Sequence, residues 1–158
     1  MMKKGSIRTT KREKRNRFSL LDRIPKDLPA LRRAFLITKM VSGVGFDWPH
    51  LKGVLKKLKE ELKEFQEALS SKNQNRLREE IGDLLFVLTN LSRVLGIDPE
   101  KALHMTIEKF IHRFQYIEKS LHKRGKSLQQ SNLLEMDGLW EEAKRKEKRR
   151  ALQKRKTK

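Results

Sequence analysis

The sequence predicts an all-α fold, a helical bundle of about five helices, on three observations. Apolar residues recur at the three- and four-residue spacing of a single helix face through most of residues 28–150. No segment alternates strictly as a half-buried strand would, and no repeat of solenoid period is present. Glycine, proline and short polar breaks fall between the periodic segments, where helices stop and start.

The first helix is expected within "LPALRRAFLITKMVSGVGF", residues 28–46, which puts Leu28, Leu31, Ala34, Phe35 and Thr38 near one face and ends at Gly43 and Gly45. "GFDWPH" follows as a turn, since Pro49 biases Trp48 away from helical backbone. A second helix should run from about Leu51 to Leu69, with "SSKNQN" as a polar break after it. The third, from about Gln74 to Leu95, closes at Gly96 as a C-cap. "DPEKA" then starts the fourth, with Asp98 at the N-cap and Pro99 in the first helical position. That helix carries Leu103, Ile107, Phe110, Ile111, Phe114, Ile117 and Leu121 to about Lys123, and Gly125 ends it. A last helix is expected from Leu133 to about Arg150, fraying into a basic tail.

At 158 residues the chain has room for one domain with a proper core. It contains no cysteine, which excludes disulfides and thiolate metal sites, and no apolar run approaches the roughly 18 residues of a membrane span. The first residues lack the apolar core of a secretory signal, so a cytoplasmic protein is expected.

The formal charge of +19 is unevenly spread. Residues 1–17 hold eight Lys/Arg against one acid, and residues 144–158 hold ten against one. Between them 21 Lys/Arg face 18 acids, so the basicity belongs mainly to the ends. The division expected is a basic, disordered arm over 1–17, a folded domain over 18–145 and a basic tail over 146–158. Such arms serve solubility or make loose electrostatic contact with nucleic acid or another anionic surface. No aromatic residues interleave with the terminal charges, which argues against base stacking.

Two acidic pairs spaced three apart stand out: Glu61 with Glu64, and Glu80 with Asp83. On the second helix the apolar stripe is Val54, Leu55, Leu58, Leu62, Phe65 and Leu69; on the third it is Leu77, Ile81, Leu84, Leu85, Leu88, Leu91 and Leu95. In both cases the pair falls about 70° and about 130° from the stripe centre, on the same side. Antiparallel packing through the stripes, favoured by the short connection, would bring all four carboxylates to one edge of the contact. A hard divalent cation is one cause of such clustering; an ordinary charged helix flank is the other reading. Asp83 precedes Leu84, Leu85, Phe86, Val87 and Leu88, so it is expected to be at least partly buried and to need a counter-charge.

Arg76, Glu80, Asp83 and Asn90 lie along one side of the third helix. Lys109 and Arg113, four apart, flank the stripe of the fourth, either as phosphate contacts or as a solvated flank. Trp140 and Lys144, also four apart, could cover a base and hold phosphate, or be a core anchor and the start of the tail.

These motifs, "VGFDWP", "EELKE" with "EEIGDLLFVLTNL", "KFIHRFQYIE" and "LLEMDGLWEEAK", resemble those of the MazG-type nucleoside triphosphate pyrophosphohydrolases, single-domain form, over about residues 20–145. The resemblance implies Mg²⁺-dependent hydrolysis of a (d)NTP to the monophosphate and pyrophosphate, with Mn²⁺ as a substitute, in nucleotide-pool house-cleaning. It implies Glu61, Glu64, Glu80 and Asp83 as catalytic metal ligands, and Arg76, Lys109, Arg113, Trp140 and Lys144 as nucleotide contacts. It further implies a homodimer with a four-helix-bundle core. Glu60 and Glu79 stay unassigned between assisting group and solvent-facing acid. Unlike longer members with two such domains in tandem, this chain has one copy and a basic leader. The rival reading is a non-catalytic helical nucleic-acid-binding protein acting through its basic ends.

Overall fold

The structure, a computed structural model, describes residues 19–156; the basic arm expected over 1–17 lies outside the described residues. A 3₁₀ turn, Leu20–Arg23, leads into helices α1 (Ala30–Ser42), α2 (Leu51–Ser71), α3 (Gln74–Val94) and α4 (Pro99–Lys123). A second 3₁₀ turn, Leu128–Gln130, precedes α5 (Leu133–Lys156). No strand occurs among the described residues, so the fold is all-α, and no helix is long and apolar enough to cross a membrane. Two compact units divide between Glu100 and Lys101.

In the first unit α2 and α3 form an antiparallel hairpin. The break between them is shorter than the six polar residues expected. Ser70 and Ser71 stay in α2, their hydroxyls donating to the carbonyls of Gln66 at 3.2 Å and Ala68 at 2.9 Å. Only Lys72 and Asn73 remain. Lys72 takes the left-handed conformation at φ 53° and ends α2. Asn73 starts α3, its side-chain oxygen accepting from the backbone N–H of Asn75 at 3.1 Å and Arg76 at 3.2 Å.

The other caps follow the expected chemistry. Gly96, at φ 69°, occupies a position that costs a side chain strain. There α3 ends in a Schellman turn, Gly96 N–H donating to Arg93 O at 3.0 Å and Ile97 N–H to Ser92 O at 2.8 Å. The Asp98 carboxylate accepts from Glu100 N–H at 3.0 Å and so caps α4. At α1 the capping position holds Pro29, whose side chain cannot accept. Glu100 supplies the missing acceptor, taking the Arg32 N–H at 3.2 Å.

The loop between α1 and α2 is clamped to α3. Asp47 accepts from Ser42 Oγ at 2.6 Å, Trp48 N–H at 2.8 Å and an Arg93 terminal nitrogen at 2.7 Å. The Ser42 hydroxyl chiefly, with the Arg93 guanidinium, holds the Asp47 carboxyl below its ordinary range. Arg93 also donates from Nε to Asn90 at 2.9 Å. Asn90, grouped with the acids by its side of α3, is therefore a partner of this clamp. Trp48 lies over Gly53, where a Cβ would collide with the indole.

Where the hairpin buries its faces differs from the expectation. The buried row of α2 is Val54, Glu61 and Ala68, a strict seven-residue spacing. On α3 Glu80 and Val87 are buried. Leu51, Leu55, Leu62 and Leu69 of α2, and Ile81, Leu85, Leu88 and Leu95 in and beside α3, are exposed. Glu61 and Glu80 thus sit within the buried faces, not about 70° outside them. Of the expected stripes Leu58, Phe65, Leu77, Leu84 and Leu91 are half-buried, and the rest largely points outward.

In the second unit α4 and α5 pack antiparallel. Their core is Ile117, Leu121 and Leu139, with Phe114, Tyr116, Leu128, Met136 and Trp140 packed against it. Leu103, Ile107, Phe110 and Ile111 of the expected α4 stripe are exposed instead. The helix α5 continues six residues past Arg150, so the C-terminal tail is helical as far as Lys156.

Candidate active site

Helix α2 presents Glu61 and Glu64 one turn apart, and α3 presents Glu80 from the other arm of the hairpin. One carboxylate oxygen from each lies within 4.8 Å of the others. Glu61 is 4% exposed and Glu80 9%, while Glu64 is open to solvent. Buried carboxylates demand compensation, and each helix provides a cation one turn ahead of its buried acid. Lys57 Nζ is 2.6 Å from Glu61, and Arg76 Nε is 3.5 Å from Glu80. Glu61 chiefly, with Glu60 and Glu64 adding, holds the Lys57 ammonium above the ordinary lysine range.

Three carboxylates on a rigid hairpin form a hard, all-oxygen donor set, which suits Mg²⁺ or Mn²⁺ better than a softer ion. The cluster could therefore hold a divalent metal. Asp83 departs from its expectation: its side chain is exposed rather than partly buried, and its carboxylate lies outside the close group of three. The buried face of α3 runs through Glu80 and Val87, and the next turn's acid falls to its edge. Glu60 and Glu79 face solvent.

Arg76 serves the carboxylates directly, pairing with Glu67 at 3.4 Å as well as with Glu80. Lys57 was not among the residues expected here. Its signal was its place four residues before Glu61, a spacing shared by Arg76 and Glu80.

The remaining expected residues lie on α4 and α5. Arg113 donates from Nε and a terminal nitrogen to Glu147 at 2.9 and 2.7 Å, with its guanidinium carbon 5.4 Å from the Trp140 ring centre. Trp140 packs on Phe110, ring centres 5.1 Å apart, and against the small core of this unit. Lys144 pairs with Glu141 at 2.6 Å. Arg113 and Lys144 line one open cleft of about 460 Å³, with Glu141, Arg145, Glu147 and Lys148. Lys109 is exposed one turn before Arg113. A further network was not expected: the Tyr116 hydroxyl donates to Glu142 at 2.6 Å, and Lys146 Nζ is 2.9 Å from the same carboxylate. Tyr116 first, then Lys146, holds Glu142 below its ordinary range.

Residues 50–117 match the MazG nucleotide pyrophosphohydrolase domain, a span that includes all three clustered glutamates. The chain is 45% identical over 117 residues to the nucleoside triphosphate pyrophosphohydrolase/pyrophosphatase MazG of Thermotoga maritima, covering 74% of this chain and 45% of that protein. It is 41% identical over 143 residues to the nucleoside triphosphate pyrophosphohydrolase of Escherichia coli K12, covering 89% and 54% respectively. An uncharacterized protein of Bacillus subtilis, YabN, is 44% identical over 132 residues, covering 83% of this chain and 27% of its own length. The chain thus spans about half the length, or less, of these curated relatives. The glutamate-bearing hairpin thus lies within a segment, residues 50–117, that matches the MazG nucleotide pyrophosphohydrolase domain, and the chain is similar over most of its own length to these MazG proteins.

Proposed function

We propose that this chain hydrolyses nucleoside triphosphates to the monophosphate and pyrophosphate at the α2–α3 hairpin, with Mg²⁺ as its cofactor and Mn²⁺ as a substitute. The observation that carries the reading is the convergence of Glu61, Glu64 and Glu80 within 4.8 Å, inside the span that matches the MazG domain. In this reading these three are the metal ligands, with Asp83, one turn past Glu80, as the fourth carboxylate. Bound metal would supply charge neutralisation of the triphosphate and a water of lowered pKa.

The chain's own residues do the rest. The two-residue link and the buried faces of the hairpin fix the glutamates before substrate arrives, so little reorganisation accompanies the reaction. Lys57 and Arg76 pair with the buried acids and so compensate their charge until a cation arrives. Arg113 and Lys109 are assigned to the triphosphate, and Trp140 with Lys144 to the nucleotide. Their present partners, Glu147 and Glu141, keep Arg113 and Lys144 from binding anions indiscriminately. The substrate class argues for a cytoplasmic enzyme acting on the nucleotide pool. The outward apolar rows of α2 and α3 support a homodimer.

The test is pyrophosphate release from a panel of canonical and modified (d)NTPs, with and without Mg²⁺. Activity should require the metal, and Glu61→Gln should lower turnover at least about 100-fold while helicity is retained. Undiminished activity in chelator, or wild-type turnover by Glu61→Gln, would overturn the assignment.

A further inference from the structure

The C-terminal half of α5 carries charge that the pyrophosphohydrolase reading does not use. Its acids are already engaged: Glu141 pairs with Lys144 at 2.6 Å, Glu142 with Lys146 at 2.9 Å and Glu147 with Arg113 at 2.7 Å. Arg145, Lys148, Arg149 and Arg150 have no ion pair among the described residues and are exposed. At about 100° per residue Arg145, Lys148 and Arg149 fall within one arc of about 100°. That arc is opposite Leu139 and Ala143, which are buried in the unit formed with α4. Like charges at these three- and four-residue spacings repel and weaken a helix. The helix nonetheless runs on to Lys156, carrying an electrostatic cost that a polyanion would relieve.

From this we infer that the outer face of α5 docks on the phosphate backbone of double-helical DNA. The choice among anions follows from what the face lacks. Residues 141–154 contain no aromatic side chain, so there is nothing to stack the bases of a single strand. Leu152 is the one large apolar residue among them, too little for insertion into a lipid surface. Acidic proteins offer sparse charge, whereas a duplex offers one charge per about 1.7 Å of its axis. As far as Glu147 the inner side of the helix is occupied by α4, so this part of α5 lies across the backbone rather than entering a groove. Contact is then to phosphates, and binding is independent of base sequence.

The inference does not depend on the hydrolytic reading and is tested separately. The full chain is titrated against a fluorescein-labelled 20-base-pair duplex, with fluorescence anisotropy read across a KCl series. Arg145, Lys148 and Arg149 together predict a slope of log affinity on log salt of about −3 or steeper. The triple reversal Arg145→Glu/Lys148→Glu/Arg149→Glu should weaken binding by more than about tenfold and flatten the slope by about 3. A neutral triple variant, each residue to Gln, serves if circular dichroism shows the reversal to be misfolded, and it should weaken binding in the same direction. Wild-type affinity in the folded variants would overturn the inference. So would equal affinity for the single strand, or for polyglutamate of matched charge.

Discussion

At the scale of single residues, the acidic spacing in "EELKE" and "EEIGD" singled out Glu61, Glu64, Glu80 and Asp83, of which the first three converge, because an i,i+3 pair stays on one side of a helix whatever packs against it. Burial was not legible in the same way. Asp83 was expected inside because of the apolar run after it, yet it is exposed; Glu61, assigned to a flank, is almost fully buried. The partner that makes this burial tolerable, Lys57, looked like any other lysine in "LKKLKEELKE". With its ammonium 2.6 Å from Glu61, Lys57 competes with an incoming cation for the same oxygen while preventing an unpaired buried charge. Lys57→Met should therefore separate the two effects. The metal-free protein should lose about 1 kcal/mol, a value discounted because the ammonium is partly exposed and screened. Mn²⁺ should bind about tenfold more tightly, because a positive charge a few ångströms away has gone. Isothermal titration with Mn²⁺ and thermal melts in chelator read these separately. Weaker Mn²⁺ binding by the variant would mean that Lys57 orients Glu61 rather than competing for it.

At the scale of elements, all five helices were legible, and the caps at Asp98 and Gly96 were read correctly because their residues advertise the geometry. The end of α2 was not. Its left-handed position is held by Lys72 at φ 53°, with neither Gly nor Asn to mark it, and the surrounding serines and asparagines suggested a longer loop. The end of α5 was missed for the opposite reason: a dense basic composition reads as a solvated arm although each residue in it is a fair helix former. Lys72 makes a prediction possible. A non-glycine residue in the left-handed region costs about 1–2 kcal/mol, and glycine returns part of that gain through its greater freedom in the unfolded chain. Lys72→Gly should therefore stabilise the protein by about 0.5–1 kcal/mol, raising the melting temperature by about 1–4 °C. A lower melting temperature would show that the lysine side chain contributes something the hairpin needs.

At the scale of the whole molecule, periodicity identified apolar faces without saying what covers them. The stripes of α2 and α3 were read as the contact between the two helices. The fully buried residues of the two helices include Val54, Glu61, Ala68, Glu80 and Val87, with Leu58, Phe65, Leu77, Leu84 and Leu91 half-buried, while Leu55, Leu62, Leu69, Ile81, Leu85 and Leu88 face outward. A hydrophobic pattern cannot distinguish the two, since a residue buried by its own chain and one buried by another copy obey the same spacing. Rows of exposed leucine on two adjacent helices exceed what a solitary soluble chain ordinarily tolerates, and a self-complementary pairing of these rows would bury them about a twofold axis. Sedimentation should therefore give twice the 18.7 kDa chain mass at micromolar concentration. Leu85 is the residue to change, because it is 51% exposed and so contributes little to the fold of one chain. Leu85→Glu places like charges against each other across such an axis and should yield an 18.7 kDa species that keeps its helical circular dichroism. If the monomeric variant also loses Mn²⁺ binding at the glutamate hairpin, the pairing rigidifies the site. A wild-type chain that sediments as a monomer would leave the outward rows to a different partner and remove the four-helix core from this account.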